Sequence, residues 1–103
     1  MTLSICIATF NRAAFIGETL QALVEQLRPG VEIVIVDGAS PDDTAAAVRP
    51  FLEVAPAIRY CRESENSGVD GDYDKAVGYA RGEHVWLFPD DDLPAPGAID
   101  RVL

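Results

Sequence analysis

The chain has 103 residues, of which 49% are hydrophobic and 24% charged, so it is one globular domain at most, long enough for a single core. Its 8 basic and 17 acidic residues leave a net charge of −9. That argues against nucleic acid or anionic lipid as an electrostatic partner, but not against an anionic nucleotide whose charge is met by a metal ion. No apolar run approaches the roughly 20 residues of a membrane span. No basic segment precedes the first apolar run, as a secretory signal requires, so the expected setting is cytoplasmic.

Leu3-Ser4-Ile5-Cys6-Ile7-Ala8 is a compact β-rich run and reads as the first strand. Thr9-Phe10-Asn11-Arg12 is the turn after it. Ala13 to Leu27 has helical spacing, with Phe15, Ile16, Leu20, Leu23, Val24 and Leu27 on one face. Arg28-Pro29-Gly30 stops that helix. Val31 to Val36 is the second strand, and its apolar content on both faces fits a central strand covered on both sides. Asp37 to Thr44 is the next turn. Ser40 reads as an N-cap there, with Pro41 at the first helical position and acids in the first turn. The second helix is expected to run to about Leu52.

Ala57 to Arg62 is a less apolar third strand, nearer a sheet edge. Glu63 to Gly71 is a polar loop. Asp72 to Arg81 reads as a helix with Tyr73, Ala76, Val77 and Ala80 facing inward and Gly82 as its C-terminal cap. Val85-Trp86-Leu87-Phe88 reads as a short buried strand ended by Pro89, and it delivers Asp90-Asp91-Asp92. A last helix begins between Pro94 and Leu103. The order βαβαβαβα implies an α/β fold, a Rossmann-like parallel sheet with helices on both faces. Cys6 and Cys61 sit inside predicted strands and read as reduced core thiols. His84, the only histidine, reads as a structural or solvated residue.

Ligands of open parallel sheets bind beyond the carboxyl ends of the strands. Three polar turns meet on that edge: Thr9 to Arg12, Asp37 to Ser40, and Asp90 to Asp92. Asp37 can accept hydrogen bonds from a base or ribose, or it can simply hold its turn. Thr9 and Asn11 can bond a base edge or a phosphate, and Arg12 can supply positive charge, with helix capping the alternative for all three. Three adjacent carboxylates repel one another unless something positive sits among them. Asp90 to Asp92 therefore read as a site for a hard divalent cation bridging a diphosphate, against the plainer reading of a solvated acidic turn. No Gly-x-Gly-x-x-Gly follows the first strand and no Gly-Lys-Ser/Thr loop is present. A phosphoacceptor receiver domain is disfavoured, because Thr9 and Asn11 stand where it needs an acid pair.

The successive segments Ser4 to Arg12, Glu32 to Thr44, Asn66-Ser67-Gly68 and Ala80 to Asp92 resemble the signatures of family 2 glycosyltransferases, in order and over the whole chain. Gly68 to Tyr73 and Trp86 to Asp92 are most similar to its abequosyltransferase-like branch, which transfers deoxysugars in surface polysaccharide synthesis. The resemblance implies the N-terminal part of a GT-A fold. It also implies metal-dependent, inverting transfer of a sugar from a nucleoside-diphosphate sugar to a saccharide or lipid-linked acceptor, in the cytoplasm or at the cytoplasmic face of the membrane. By the same match Thr9, Asn11, Arg12, Asp37, Asp72 and Asp90 are donor-binding candidates, with Asp37 on the base and Asp90 near the ribose. Asp91 would be the leading ligand of Mn²⁺ or Mg²⁺, with Asp92 beside it.

The chain departs from the pattern at Pro89, where many members have Asp, and at Asp72-Tyr73-Asp74, where many carry an Arg-Asn pair. The family's acceptor half and catalytic base follow the metal motif. The expectation is therefore that residues 1–103 are the donor-binding portion of a longer domain, with the base beyond Leu103. The competing reading is a noncatalytic nucleotide-binding or interaction module built on the same sheet.

Overall fold

In a computed structural model, residues 2–66 and 68–103 are described. The elements are β1 (Leu3–Thr9), α1 (Ala13–Val24), β2 (Val31–Asp37), α2 (Thr44–Val54), β3 (Ile58–Arg62), α3 (Gly68–Tyr79), β4 (His84–Leu87) and α4 (Ala98–Val102). All strand pairs are parallel, in the order β3-β2-β1-β4. The chain thus builds outward from β1 through β2 to β3. It then crosses back under α3 and adds β4 on the other side of β1. The order reverses between β1 and β4, which is where an open α/β sheet leaves a crevice at its carboxyl edge.

Alternation along the strands divides the core. Leu3, Ile5, Ile7, Val31, Ile33 and Ile35 face α1 and α2 and form the larger cluster with Ile16, Leu20, Leu23, Val48 and Ile99. Cys6, Val34 and Val36 point to the other face and pack on Ala76 of α3. Helices therefore cover both faces of the sheet, as the alternating pattern predicts. Both cysteines are free thiols. Cys6 is buried, and burial pushes its thiol up to about 11.

At the opposite edge from the strand ends, the α3 face holds a buried charge. Glu32 is 2% exposed. It accepts from the Ser4 hydroxyl at 2.5 Å, the Arg81 N–H at 2.7 Å and Arg59 Nη2 at 3.0 Å. Burial alone would raise this carboxyl, but the three donors outweigh it and hold it below its ordinary range.

Several boundaries and faces differ from the sequence expectation. Phe15 is 48% exposed, and Thr19 takes an inward position on α1 instead. Ser40 caps no helix and Pro41 lies outside α2, which starts at Thr44 because Ser40 turns back onto Asp37. α3 begins at Gly68, four residues before Asp72, and Val77 points outward. Gly82 is not the cap of α3. It passes so close to β1 that a Cβ would lie 2.7 Å from the Ser4 amide nitrogen. The fourth strand is not buried: β4 is an edge with one neighbour, and Val85 and Leu87 are exposed on the α3 face that α3 itself does not reach.

Candidate functional site

The ends of β1 and β2 are flush, since Thr9 pairs in register with Asp37. The turns beyond them are knotted together by side chains. The Ser40 hydroxyl donates to Asp37 Oδ1 at 2.6 Å and accepts from the Asn11 amide at 2.9 Å. The Ala13 amide donates to Asp42 Oδ2 at 3.1 Å, so the first helix is capped across space from the second turn. Arg12 makes no side-chain cap. Asn11 and Ala39 both adopt left-handed backbone (φ 58° and 65°), one in each turn. Strained residues persist where surrounding contacts hold them, and they cluster at ligand sites.

Asp37 is fully buried and internally occupied. Its Oδ1 accepts from both the amide and the hydroxyl of Ser40, and its Oδ2 accepts from the Tyr60 hydroxyl on β3. Burial, then this hydrogen bond, drives the Tyr60 hydroxyl well above its ordinary value. Asp72, on α3, is also buried (2% exposed). Its carboxylate occupies the space a side chain at Gly38 would fill, yet its Oδ1 has no hydrogen-bond partner. Burial raises its carboxyl, with Lys75 opposing and Glu63 and Asp37 adding to the rise. Lys75 itself pairs with Glu63 at 3.7 Å.

At the switch point between β1 and β4 lies a cleft of about 320 Å³, lined by Phe10, Arg12, Val69, Tyr73, Pro89 and Asp90 together with Ala8. This is within the usual size range of small-molecule sites. Arg12 Nε approaches Asp90 Oδ1 at 3.8 Å, linking the first turn to the acidic loop. Burial raises the Asp90 carboxyl, with the Thr9 hydroxyl and Arg12 pulling against it. Thr9 Oγ1 is buried and lacks a well-formed hydrogen bond of its own. The Tyr73 hydroxyl donates to the Phe88 carbonyl at 2.9 Å and closes the floor between α3 and β4.

Asp91 and Asp92 follow the cleft residue Asp90 in the chain and are exposed. Among the described residues no group of three or more His, Cys, Asp or Glu side chains converges as a metal cage. The donor set instead fits a cation held by one or two carboxylates, with substrate phosphates supplying other ligands, as Mg²⁺-type ions are commonly bound.

Residues 4–103 match the sequence profile of glycosyl transferase family 2. The chain belongs to glycosyl transferase family 2.

Among curated relatives, the abequosyltransferase RfbV of Salmonella typhimurium is 32% identical over 96% of this chain and 31% of its own length. The GalNAc(5)-diNAcBac-PP-undecaprenol beta-1,3-glucosyltransferase of Campylobacter jejuni is 28% identical over 98% of this chain and 33% of its own. The solved mannosyltransferase PcManGT of Pyrobaculum calidifontis, in complex with GDP-Man and Mn²⁺, superposes with a TM-score of 0.85. It is 34% identical, covering 94% of this chain and 30% of that one. The chain thus spans about a third of the length of these family members.

The geometry brings Arg12 and Asp90 together around one cleft, buries Thr9 at the end of β1 beside Asp37, and sets Asp37 and Asp72 at the neighbouring end of β2. The Asn11 side chain is exposed, and only its backbone is built into the turn. The sequence reading did not assign Phe10, Val69 or Tyr73 as lining residues, nor Tyr60 as the partner of Asp37. Phe10 carried a usable signal, being a large aromatic inside a polar turn at a strand end. The others sit on α3 and β3 and reach the site only through packing. No helix of the described residues is long and apolar enough to cross a membrane.

Proposed function

We propose that this chain forms the donor-binding part of a glycosyltransferase that moves a sugar from a nucleoside-diphosphate sugar to a saccharide or lipid-linked acceptor. The supporting observation is the cleft at the β1/β4 switch point, lined by Arg12 and Asp90, with the buried Thr9 at the adjoining end of β1 and the exposed Asp91-Asp92 next in the chain after Asp90. Carboxylates dominate this edge, with Arg12 the cation lining the cleft. A diphosphate would be repelled there unless a divalent cation came with it. Asp91, with Asp92 beside it, would hold Mn²⁺ or Mg²⁺. The ion would neutralise charge on the leaving diphosphate.

Thr9, with its buried and under-bonded hydroxyl, and Asp72, with its open carboxylate oxygen, are assigned to the nucleoside. Asp90 is assigned to the ribose. Arg12 is assigned to the phosphates, and Asn11 to the turn that frames them. Asp37 contacts the base edge through what remains of its acceptor capacity, or acts on the base only by holding the turn. The relative named for an undecaprenol-linked substrate supports a lipid-linked acceptor, and the cytoplasmic face of the membrane is proposed as the place of transfer. Inverting transfer requires a base for the acceptor hydroxyl, and none of these residues is given that role. A nucleotide-binding module without transfer is the second reading, supported by the internal use of both Asp37 oxygens.

Titration calorimetry of the chain with UDP, GDP, CDP and dTDP, each with and without Mn²⁺, tests the first reading. The expected result is binding of at least one nucleotide that tightens roughly tenfold with Mn²⁺, about 1.4 kcal/mol. Absence of binding to all four overturns it. Nucleotide binding that ignores the metal and is not followed by sugar transfer supports the second.

A further inference from the structure

The acidic loop is shaped by a residue 71 positions earlier in the chain. Thr19 lies on the inner face of α1, 1% exposed. Its hydroxyl faces the Asp90 carbonyl at 3.0 Å and the Asp92 carbonyl at 2.9 Å. The carbonyl of its own helix at Phe15 is farther, at 3.4 Å. A threonine hydroxyl in a helix ordinarily bonds back to the carbonyl four residues earlier. Here its single proton is turned toward two carbonyls of another segment.

Those carbonyls flank Asp91. With both turned toward one oxygen, the 90–91 and 92–93 peptide units that bracket this stretch are fixed, while Asp91 and Asp92 are exposed and Asp92 Oδ1 accepts from the Leu93 amide at 2.9 Å. In the turn just after α1, Gln26 repeats the grip. Its Nε2 donates to the Ala95 carbonyl at 2.9 Å and its Oε1 accepts from the Ile99 amide at 3.2 Å. α1 and the turn after it therefore hold the 90–99 segment by backbone groups of Asp90, Asp92, Ala95 and Ile99. No carboxylate of the acidic loop is consumed in doing so.

We infer that Thr19 is a positioning residue for the acidic loop: its hydroxyl, shared by the Asp90 and Asp92 carbonyls, sets the backbone from which Asp91 and Asp92 present oxygens to a divalent cation. This rests on the metal-assisted reading above. Thr19 touches neither cation nor nucleotide. Thr19→Val keeps the shape and removes the hydroxyl, leaving two carbonyls unpartnered beside the core. Thr19→Ser keeps the hydroxyl.

The test uses Mn²⁺ alone, added to the isotope-labelled chain while amide signals are followed by NMR. The wild-type chain should lose the signals of residues 90–93 first. In Thr19→Val the midpoint should rise by roughly tenfold or more, the range seen for outer partners of metal ligands. Thr19→Ser should stay near wild type, and Gln26→Ala, one grip away from the acids, should leave the midpoint unchanged. An unchanged midpoint in folded Thr19→Val overturns the inference while leaving the metal reading intact. A wild-type chain whose loop ignores Mn²⁺ both alone and with UDP, GDP, CDP or dTDP present overturns both.

Should Thr19→Val unfold, the wild-type chain still decides. A slowly exchanging Thr19 hydroxyl proton with a cross-peak to the Asp91 amide supports the inference. A freely exchanging one overturns it.

Discussion

The Ser40 amide and hydroxyl both donate to one oxygen of Asp37, at 2.9 and 2.6 Å. Together with Tyr60 on the other oxygen, they make Asp37 the centre of the turn that ends β2. Asp37→Ala leaves the Ser40 amide and hydroxyl and the part-buried Tyr60 hydroxyl without this acceptor, and each fully buried orphan costs about 1–3 kcal/mol. The expected loss in urea unfolding is roughly 2–4 kcal/mol. Ser40→Ala removes one donor to Asp37 and the acceptor of the Asn11 amide, and should cost about 1–2 kcal/mol. A loss below that for Asp37→Ala would mean that the turn does not depend on it.

Asp91 is exposed, so its removal should act on binding alone. Asp91→Ala is expected to shift stability by less than about 0.5 kcal/mol. It should also erase the Mn²⁺-dependent gain in nucleotide affinity, with metal-free affinity unchanged. Calorimetry beside a thermal melt checks both halves.

Asp72 should show opposite signs in the same two measurements. Burial raises its carboxyl, so at neutral pH the charged form costs folding free energy and Asn does not. Asp72→Asn is expected to raise stability by about 1 kcal/mol and to weaken nucleotide binding severalfold. If both fall together, Asp72 is a structural residue.

Two glycines separate soft from hard close approach. At Gly38 an added Cβ meets the end of the Asp72 side chain, which can swing away. Gly38→Ala should fold normally and lose nucleotide affinity as that carboxylate moves. At Gly82 the Cβ meets the β1 backbone at 2.7 Å, which cannot yield. Gly82→Ala should cost about 1–3 kcal/mol, read as a lower denaturation midpoint.

Glu32 should set part of the acid sensitivity. Its folded carboxyl lies below the ordinary 4.5, so its stabilisation is full above that value and lost as pH falls through the shifted one. Glu32→Gln removes this dependence and lowers stability at neutral pH, because the Arg59 charge, hydrogen-bonded to Glu32 in the folded chain, is left without a carboxylate partner. Unfolding curves from pH 7 to pH 3 should therefore converge for the two proteins. Parallel curves would show that Glu32 carries no such linkage.

Much of the scaffold was legible because its signals are local. Runs such as Val31 to Val36 and the helical spacing of Ile16, Leu20 and Leu23 follow from side-chain period alone. The parallel sheet follows from alternation, and the shared edge of Thr9, Asp37 and Asp90 follows from the parallel sheet. Where local signals competed, they misled. Ser40-Pro41 has the composition of a helix start, but the Ser40 hydroxyl accepts from the Asn11 amide and donates to Asp37 instead of accepting from a helix amide. Gly82 has the look of a cap, but the approach of β1 is what demands a glycine.

Sequence by itself determined the α/β class, the three polar turns on one edge and the family to which they belong, since each rests on residue type and short-range order. Only the tertiary structure decided that β4 is an exposed edge, that Asp37 is occupied from within, that Asp42 caps α1 and that Thr19 holds the acidic loop. The reason is range: the Thr19 contacts span 71 and 73 residues. A hydroxyl on a helix carries no mark in the sequence of which distant carbonyl it will meet until packing brings them together.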